Sequence, residues 1–350
     1  MIKDAMFYEK IGDNKVHCYL CAQNCKIASG KRGFCGVREN RDGNLYSLIY
    51  GTVSSEAIDP IEKKPLYHFR PGSYVYSVGS IGCNFRCKHG QNWSISQVSL
   101  EEAYTKDIMP DELVERAVYS GSQSIAWTYN EPTIWHEYTS ESAKLAKEAG
   151  LGTVYVTNGY ITPEPLKNIA PYLDAANIDI KAFNEKFYHD VASAKLAPVL
   201  EATALAKELG IHVEITTLII PGVNDSLDEL RELSKWVYKN LGSGTPLHFT
   251  RFHPQYKMQN LAPTPVKTMQ DACKIATEEG MKYVYMGNVP GSDHNNTFCP
   301  NCGNLLIARG YFDIEKYNIT PEKTCPVCGE NIPIVGEYEG SKPSLDEDIF

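Results

Sequence analysis

The sequence predicts an α/β fold, a partial TIM-like (β/α)6 barrel with small Cys-rich metal modules before and after it. Three observations carry that prediction. Short apolar runs alternate with amphipathic helical stretches through the middle of the 350-residue chain. Each run ends in polar residues or glycine, and a parallel barrel keeps its chemistry at such strand ends. The 11 cysteines gather near both ends and beside the first run, leaving only Cys273 alone. A doubly wound open sheet is the second choice of architecture.

Residues 1–70 make the N-terminal module. Cys18, Cys21 and Cys25 lie close together, Cys35 follows, and glycines at 30, 33 and 36 allow tight turns. Four thiols in this pattern fit zinc, the first choice, or a second iron–sulfur cluster. His17 reads as a bystander. The barrel spans 71–291, with strands predicted at 74–80, 124–129, 153–158, 175–181, 211–220, 246–252 and 282–287. Their alternation with helices requires parallel pairing and right-handed crossovers. The stretch 226–241 illustrates the helices. Leu227, Leu230, Leu233, Val237 and Leu241 recur on one face, Ser226 with Glu229 reads as a capping box, and Gly242 follows as a C-terminal glycine. Cys273 falls in a helical stretch and reads as a small core residue.

Residues 292–340 make the C-terminal module. Cys299 with Cys302 and Cys325 with Cys328 form two C-x2-C pairs, each followed by glycine. Paired knuckles of this kind suit a closed tetrahedral zinc site, with a rubredoxin-like iron site as the lesser alternative. Few basic residues accompany Arg309, so a fold-stabilising or docking role is expected rather than nucleic-acid binding. The segment 341–350 is an acidic tail expected to fray.

Composition sets outer limits. Apolar residues make up 43% and charged residues 22%, a balance that excludes a disordered chain. No run approaches the roughly 18 apolar residues of a membrane span. The N-terminus lacks the apolar stretch of a signal peptide, so a cytoplasmic protein with reduced thiols is expected. The net charge of −9 argues against nucleic acid and anionic membrane as partners.

Chemistry concentrates at the strand ends. The first strand runs into Cys83 and Cys87, with His89 and Gly90 just beyond; the others lead to Asn130 and Glu131, Asn158, Asp179 and Lys181, Arg251 and His253, and Asn288. A cysteine at 90 would complete C-x3-C-x2-C, three thiolates able to hold three irons of a [4Fe–4S] cluster and leave the fourth open. Glycine there has no ligand atom.

This loop resembles that of the radical S-adenosylmethionine (SAM) superfamily with one cysteine lost. VTNG at 156–159, DIK at 179–181, IIPGVND at 219–225 and FH at 252–253 are similar to the activating enzymes of pyruvate formate-lyase. DPIEKKPLYHFRPG at 59–72, TYNEP at 128–132 and YMGNVPG at 285–291 resemble the AmmeMemoRadiSam system radical SAM enzyme, across nearly the whole chain. The resemblance implies a [4Fe–4S] cluster that reductively cleaves S-adenosyl-L-methionine to a 5′-deoxyadenosyl radical, which takes hydrogen from a substrate, a protein or peptide by analogy with activating enzymes. It implies Cys83 and Cys87 as cluster ligands, Asn130 and Glu131 in place of a Gly-Gly-Glu motif that holds the SAM amino group, and Asp179, Lys181, His253 and Asn158 around SAM. It also implies Memo-like and Amme-type partners and an electron donor such as flavodoxin or ferredoxin.

Gly90 admits three readings: real loss of a ligand, a recent, artificial or recoded change, or replacement by His89 as ligand. A rival function follows from it, a non-catalytic SAM- or metal-binding protein; a third, resting on the C-terminal cysteines, is a zinc-ribbon interaction protein with the barrel as scaffold.

Overall fold

The structure is a computed structural model that describes residues 1–338 and residue 340; the acidic tail expected at 341–350 lies outside the described residues. Its frame is a single eight-stranded sheet made of β1 (Ser55–Pro60), β2 (Tyr74–Gly79), β3 (Ser124–Trp127), β4 (Gly152–Thr157), β5 (Ala175–Asp179), β6 (His212–Ile219), β7 (Leu247–Arg251) and β8 (Val284–Gly287). Spatial order follows chain order. β1 is antiparallel to β2, and every later neighbour is parallel. β1 and β8 are the two edges and do not pair, so the barrel is partial.

Helices α1 (Pro110–Tyr119), α2 (His136–Glu148), α3 (Pro163–Ile169), α4 (Leu196–Glu208), α5 (Leu227–Leu241) and α6 (Val266–Glu278) occupy the six crossovers from β2 to β8. This is the expected (β/α)6 arrangement with a closing strand, and each predicted run forms a strand within two residues of its predicted ends. β1 was not among those predictions. Its sequence SEAIDP buries only Asp59 fully and so lacks an apolar run to read.

In α5, Leu230, Leu233, Val237 and Leu241 are buried as the periodicity requires, but Leu227 is 49% exposed. The capping box does not form. Ser226 makes no side-chain cap, and the Glu229 carboxylate instead accepts from the Phe183 N–H and from Asn184 Nδ2, both at 2.7 Å. A carboxylate offered buried donors from the β5–α4 loop gains more there than at an exposed helix start. Cys273, on α6, is buried as a small core residue.

Strand residues alternate between two faces. The outward set, including Tyr76, Val78, Ile125, Trp127, Ile215 and Phe249, packs under the helices as the main core. The inward set is smaller and more polar, and the segment 61–70 plugs it. Ile61, Leu66 and Phe69 pack on Val75, Ala126, Val154 and Ala175. Asn177 Nδ2 donates to the Pro65 carbonyl at 2.7 Å. Fully buried Glu214 accepts from the N–H groups of Tyr67 (3.0 Å) and His68 (2.7 Å), and from Nε2 of His212 (3.0 Å) and His248 (2.7 Å).

The C-terminal module is a three-stranded antiparallel sheet of Thr297–Phe298, Leu305–Arg309 and Ile314–Tyr317. Arg309 is buried, donating to the Tyr67 carbonyl (2.9 Å) and Thr297 Oγ1 (2.8 Å), with its guanidinium 4.2 Å above the Tyr67 ring. It therefore joins this module to the barrel plug. The N-terminal segment forms two three-stranded sheets, and its buried Arg38 pairs with buried Glu137 of α2. No helix among the described residues is long and apolar enough to cross a membrane.

Candidate functional site

The loop after β2 is held from several sides. Arg86 donates to the carbonyls of Cys83 (2.8 Å) and Phe85 (3.0 Å), and reaches the Phe34 carbonyl of the N-terminal module. Its own N–H donates to the Ala192 carbonyl at 2.8 Å. Gln23 Nε2 donates to the carbonyls of Asn84 (2.8 Å) and Ser193 (3.0 Å). Gly82, at φ +83°, leaves no room for a side chain, since a Cβ would stand 2.6 Å from the Cys35 carbonyl. The loop is thereby anchored to the N-terminal module and to the segment at 192–193.

Around it the structure gathers most of the strand-end residues. The Phe85 N–H points at Cys83 Sγ (3.3 Å), and Asn158 Nδ2 lies 3.8 Å from the same sulfur while donating to Asn84 Oδ1 at 2.8 Å. Buried Glu131 accepts from the N–H (3.0 Å) and hydroxyl (2.6 Å) of Thr133, the Thr157 hydroxyl (2.6 Å) and the Asn158 N–H (2.8 Å). These bonds tie the end of β3 to the end of β4. Asn130 is engaged similarly, accepting from the Ser80 N–H at 3.0 Å and donating to the Gly82 carbonyl at 3.1 Å. Lys181 Nζ donates to Asp179 at 2.8 Å. His253 is not brought to these partners: it is exposed and makes no hydrogen bond among the described residues.

Electrostatics at the loop follow from burial. Burial, and then the Glu131 charge, push the Cys83 thiol well up. Burial also raises the Cys87 thiol, against the pull of the Lys181 ammonium. On Lys181 burial opposes the charge, but Asp179 and Cys87 more than offset it and hold the ammonium protonated. Metal binding must therefore displace thiol protons, and Lys181 lowers that cost at Cys87.

The implied cluster meets two thiolates where three belong. Gly90 has an ordinary backbone conformation, and a Cβ built on it meets only the Cys87 carbonyl at 3.5 Å. Nothing in the backbone requires glycine. Neighbouring His89 is buried, with its ring 5.8 Å from that of Phe187 and no partner at Nδ1. The residues present fit the cluster at two of three loop positions, and the third has room for a ligand-bearing side chain. Sequence reasoning did not reach Gln23, Asn84 or Arg86. All three lie between cysteines, but nothing in their spacing marks them as supports.

The two cysteine quartets differ. Cys299 and Cys328 sulfurs are 3.5 Å apart, Cys302 and Cys325 sulfurs 3.6 Å, and all four lie within 4.8 Å of one another. A tetrahedral ion with ~2.3 Å metal–sulfur bonds needs sulfurs about 3.8 Å apart. No other group of three or more His, Cys, Asp or Glu among the described residues converges so tightly. Cys18, Cys21, Cys25 and Cys35 instead border one small cavity of about 10 Å³. Replacing Cys325 by Ser is expected to remove the metal of the C-terminal quartet and to lower the melting temperature by at least ~4 °C. Metal analysis and a thermal scan check this; full metal content in the variant would contradict it.

The radical SAM superfamily profile matches residues 78–237, from the end of β2 into α5. An uncharacterized protein of Methanocaldococcus jannaschii is 51% identical over 335 residues, 95% of this chain and 100% of that protein. The pyruvate formate-lyase-activating enzyme of Streptococcus mutans is 23% identical over 165 residues, covering 45% of this chain and 63% of that enzyme. A crystal structure of a radical SAM methyltransferase from Sphaerobacter thermophilus matches with a TM-score of 0.49 at 16% identity, over 67% of this chain and 71% of that one. With a partial parallel barrel, a cysteine loop at the end of its first parallel strand and a relative matched over its full length, the chain belongs to the radical SAM superfamily.

Proposed function

We propose that this chain is an enzyme of the activating-enzyme type, taking a hydrogen atom from a protein or peptide within an AmmeMemoRadiSam system. Memo-like and Amme-type proteins are its proposed partners, flavodoxin or ferredoxin its electron donor. The observation that carries the reading is the fixed Cys83–Cys87 loop beside Lys181, Asp179 and Asn158 at the mouth of the barrel. When bound, a [4Fe–4S] cluster and SAM supply reductive cleavage to a 5′-deoxyadenosyl radical.

The chain's own residues prepare that site. Cys83 and Cys87 would hold iron as thiolates, and the Phe85 N–H and Asn158 amide face the Cys83 sulfur. Asp179, Lys181 and His253 are assigned to SAM, with Asn130 and Glu131 shaping the wall through their bonds to Ser80, Gly82 and Asn158. The plug at 61–70 closes the lower lumen. A cavity of about 100 Å³ beside it, lined by Glu62, Lys63, Tyr67, His248, Thr250 and Asn288, is the proposed seat of the substrate group. Zinc in the Cys299–Cys328 quartet serves the fold.

Anaerobic reconstitution with iron and sulfide, followed by dithionite and SAM, tests the reading. Release of 5′-deoxyadenosine that disappears on Cys87→Ala is expected. No product from either the natural chain or its Gly90→Cys variant would overturn it.

A further inference from the structure

We propose that the cavity beside the plug takes a protonated alkylamine, of the kind a lysine side chain carries, with the Glu62 carboxylate as its counter-ion. Naming that amine as the substrate group rests on the radical SAM reading; the binding site itself does not. The first argument is place. Glu62 and Lys63 stand just after β1, and Gly287 and Asn288 stand at the end of β8, so the cavity adjoins the two sheet edges that do not pair. Its volume of about 100 Å³ has room for several water-sized groups, enough for an ammonium and part of its alkyl chain.

The second argument is the balance of donors and acceptors. Glu62 is 1% exposed. Its Oε1 accepts from the Gly72 N–H at 3.0 Å, and its Oε2 has no partner among the described residues. Asn295 Oδ1, on the same lining, has none either. His248 directs Nε2 at the Glu214 carboxylate, 2.7 Å away, which places its proton there and leaves Nδ1 as an acceptor. Asn288 Nδ2 donates to the Arg251 carbonyl at 3.1 Å, which leaves its Oδ1 as an acceptor. The Lys63 ammonium is engaged by Asp59 at 2.6 Å. A lining so rich in acceptors suits a ligand rich in donors, and an ammonium brings three.

The third argument is charge and surface. Arg309 Nε stands 3.8 Å from Glu62 Oε1, beyond hydrogen-bond distance, while its Nη atoms serve Thr297 and the Tyr67 carbonyl. Burial outweighs the Arg309 charge and pushes the Glu62 carboxyl up to about 7. A second cation at the free oxygen would hold it ionised. Tyr311, 69% exposed, and Phe312, with ring centres 4.2 Å apart, border the same cavity and offer aromatic faces to an alkylammonium.

The test titrates the natural chain with n-butylammonium chloride, the lysine side chain without its backbone, and follows binding by calorimetry and NMR. Saturable binding with a Kd on the order of 1 mM is expected, against none for butan-1-ol over the same range. Glu62→Gln keeps the acceptor for Gly72 and should weaken butylammonium binding about tenfold or more. Tyr311→Ala, at an exposed turn, should weaken it about threefold. Equal binding of butan-1-ol, or unchanged affinity in Glu62→Gln, would overturn the site. Should Glu62→Gln fail to fold in a thermal scan, unchanged affinity in Tyr311→Ala would overturn it equally. A capped Gly-Lys-Gly peptide should bind at least as tightly as butylammonium; weaker binding would overturn the peptide source and leave a free amine. None of these readouts needs iron or SAM. Binding without 5′-deoxyadenosine release would sink the radical reading alone, and release without binding would sink the amine site alone.

Discussion

Gly90→Cys is expected to raise cluster occupancy at the barrel loop and to increase 5′-deoxyadenosine formation on the order of 100-fold over the natural chain. The physical basis is a loop already shaped for the missing ligand. A Cβ at 90 meets only the Cys87 carbonyl at 3.5 Å, in a backbone conformation open to any residue. The neighbouring supports from Gln23 and Arg86 do not involve position 90. Folding stability should therefore change little while iron retention changes greatly. Iron and sulfide counts with a timed SAM cleavage assay make the comparison. Equal rates in both chains would show that another group completes the site. His89→Ala in the natural chain would then test the nearest imidazole.

Glu214→Ala is expected to destabilise the fold by roughly 3–5 kcal/mol. The carboxylate sits where burial should expel its charge, yet the hydrogen bonds from His212 and His248 hold it well below the usual carboxylate range. Its removal leaves those imidazoles and the Tyr67 and His68 N–H groups without their acceptor. Denaturant melts compare the variant with the natural chain; a loss under 1 kcal/mol would contradict the assignment. The same site predicts acid sensitivity. Burial pushes His68 down to about 3, whereas the unfolded chain protonates near the ordinary histidine value of 6.5. A base with a depressed folded pKa stabilises above the unfolded value and loses that contribution as pH falls. Between about pH 6.5 and 3, His68 should cost up to ~1.4 kcal/mol per pH unit. Glu214 adds to the loss once the pH drops below the carboxylate range. Melts from pH 7.5 to 4.5 check the slope, and a flat profile would contradict it.

The barrel was legible because its seven parallel strands are buried on both faces and so read as apolar runs with polar ends. β1 escaped because an antiparallel edge strand buries little: SEAIDP offers one fully buried side chain, and that one is aspartate. The capping box misled because sequence cannot tell which of two donors a carboxylate will meet. Glu229 met Phe183, 46 positions away. At the site, Cys83 and Cys87 and the Asp179–Lys181 pair declared themselves by type and spacing. Asn84, Gln23 and Arg86 did not, since their role comes from contacts across the fold. The 59–72 phrase was recognised only as part of a resemblance. Its physical role as the plug depends on strands that lie far along the chain.

That plug constrains the order in which the chain can become native. Tyr67 and His68 receive partners from Glu214, Tyr285 and Arg309, separations of 147, 217 and 242 residues. A nascent chain that has emerged only as far as β5 has made the lining at Val75, Ala126, Val154 and Ala175 but not the groups that satisfy the plug's backbone. Loop closures of such length belong to the slow end of folding, so final consolidation awaits Arg309, after the last barrel strand has left the ribosome. Release of a chain cut before Arg309 should leave an assembled sheet around an unsecured centre, a species suited to chaperone capture.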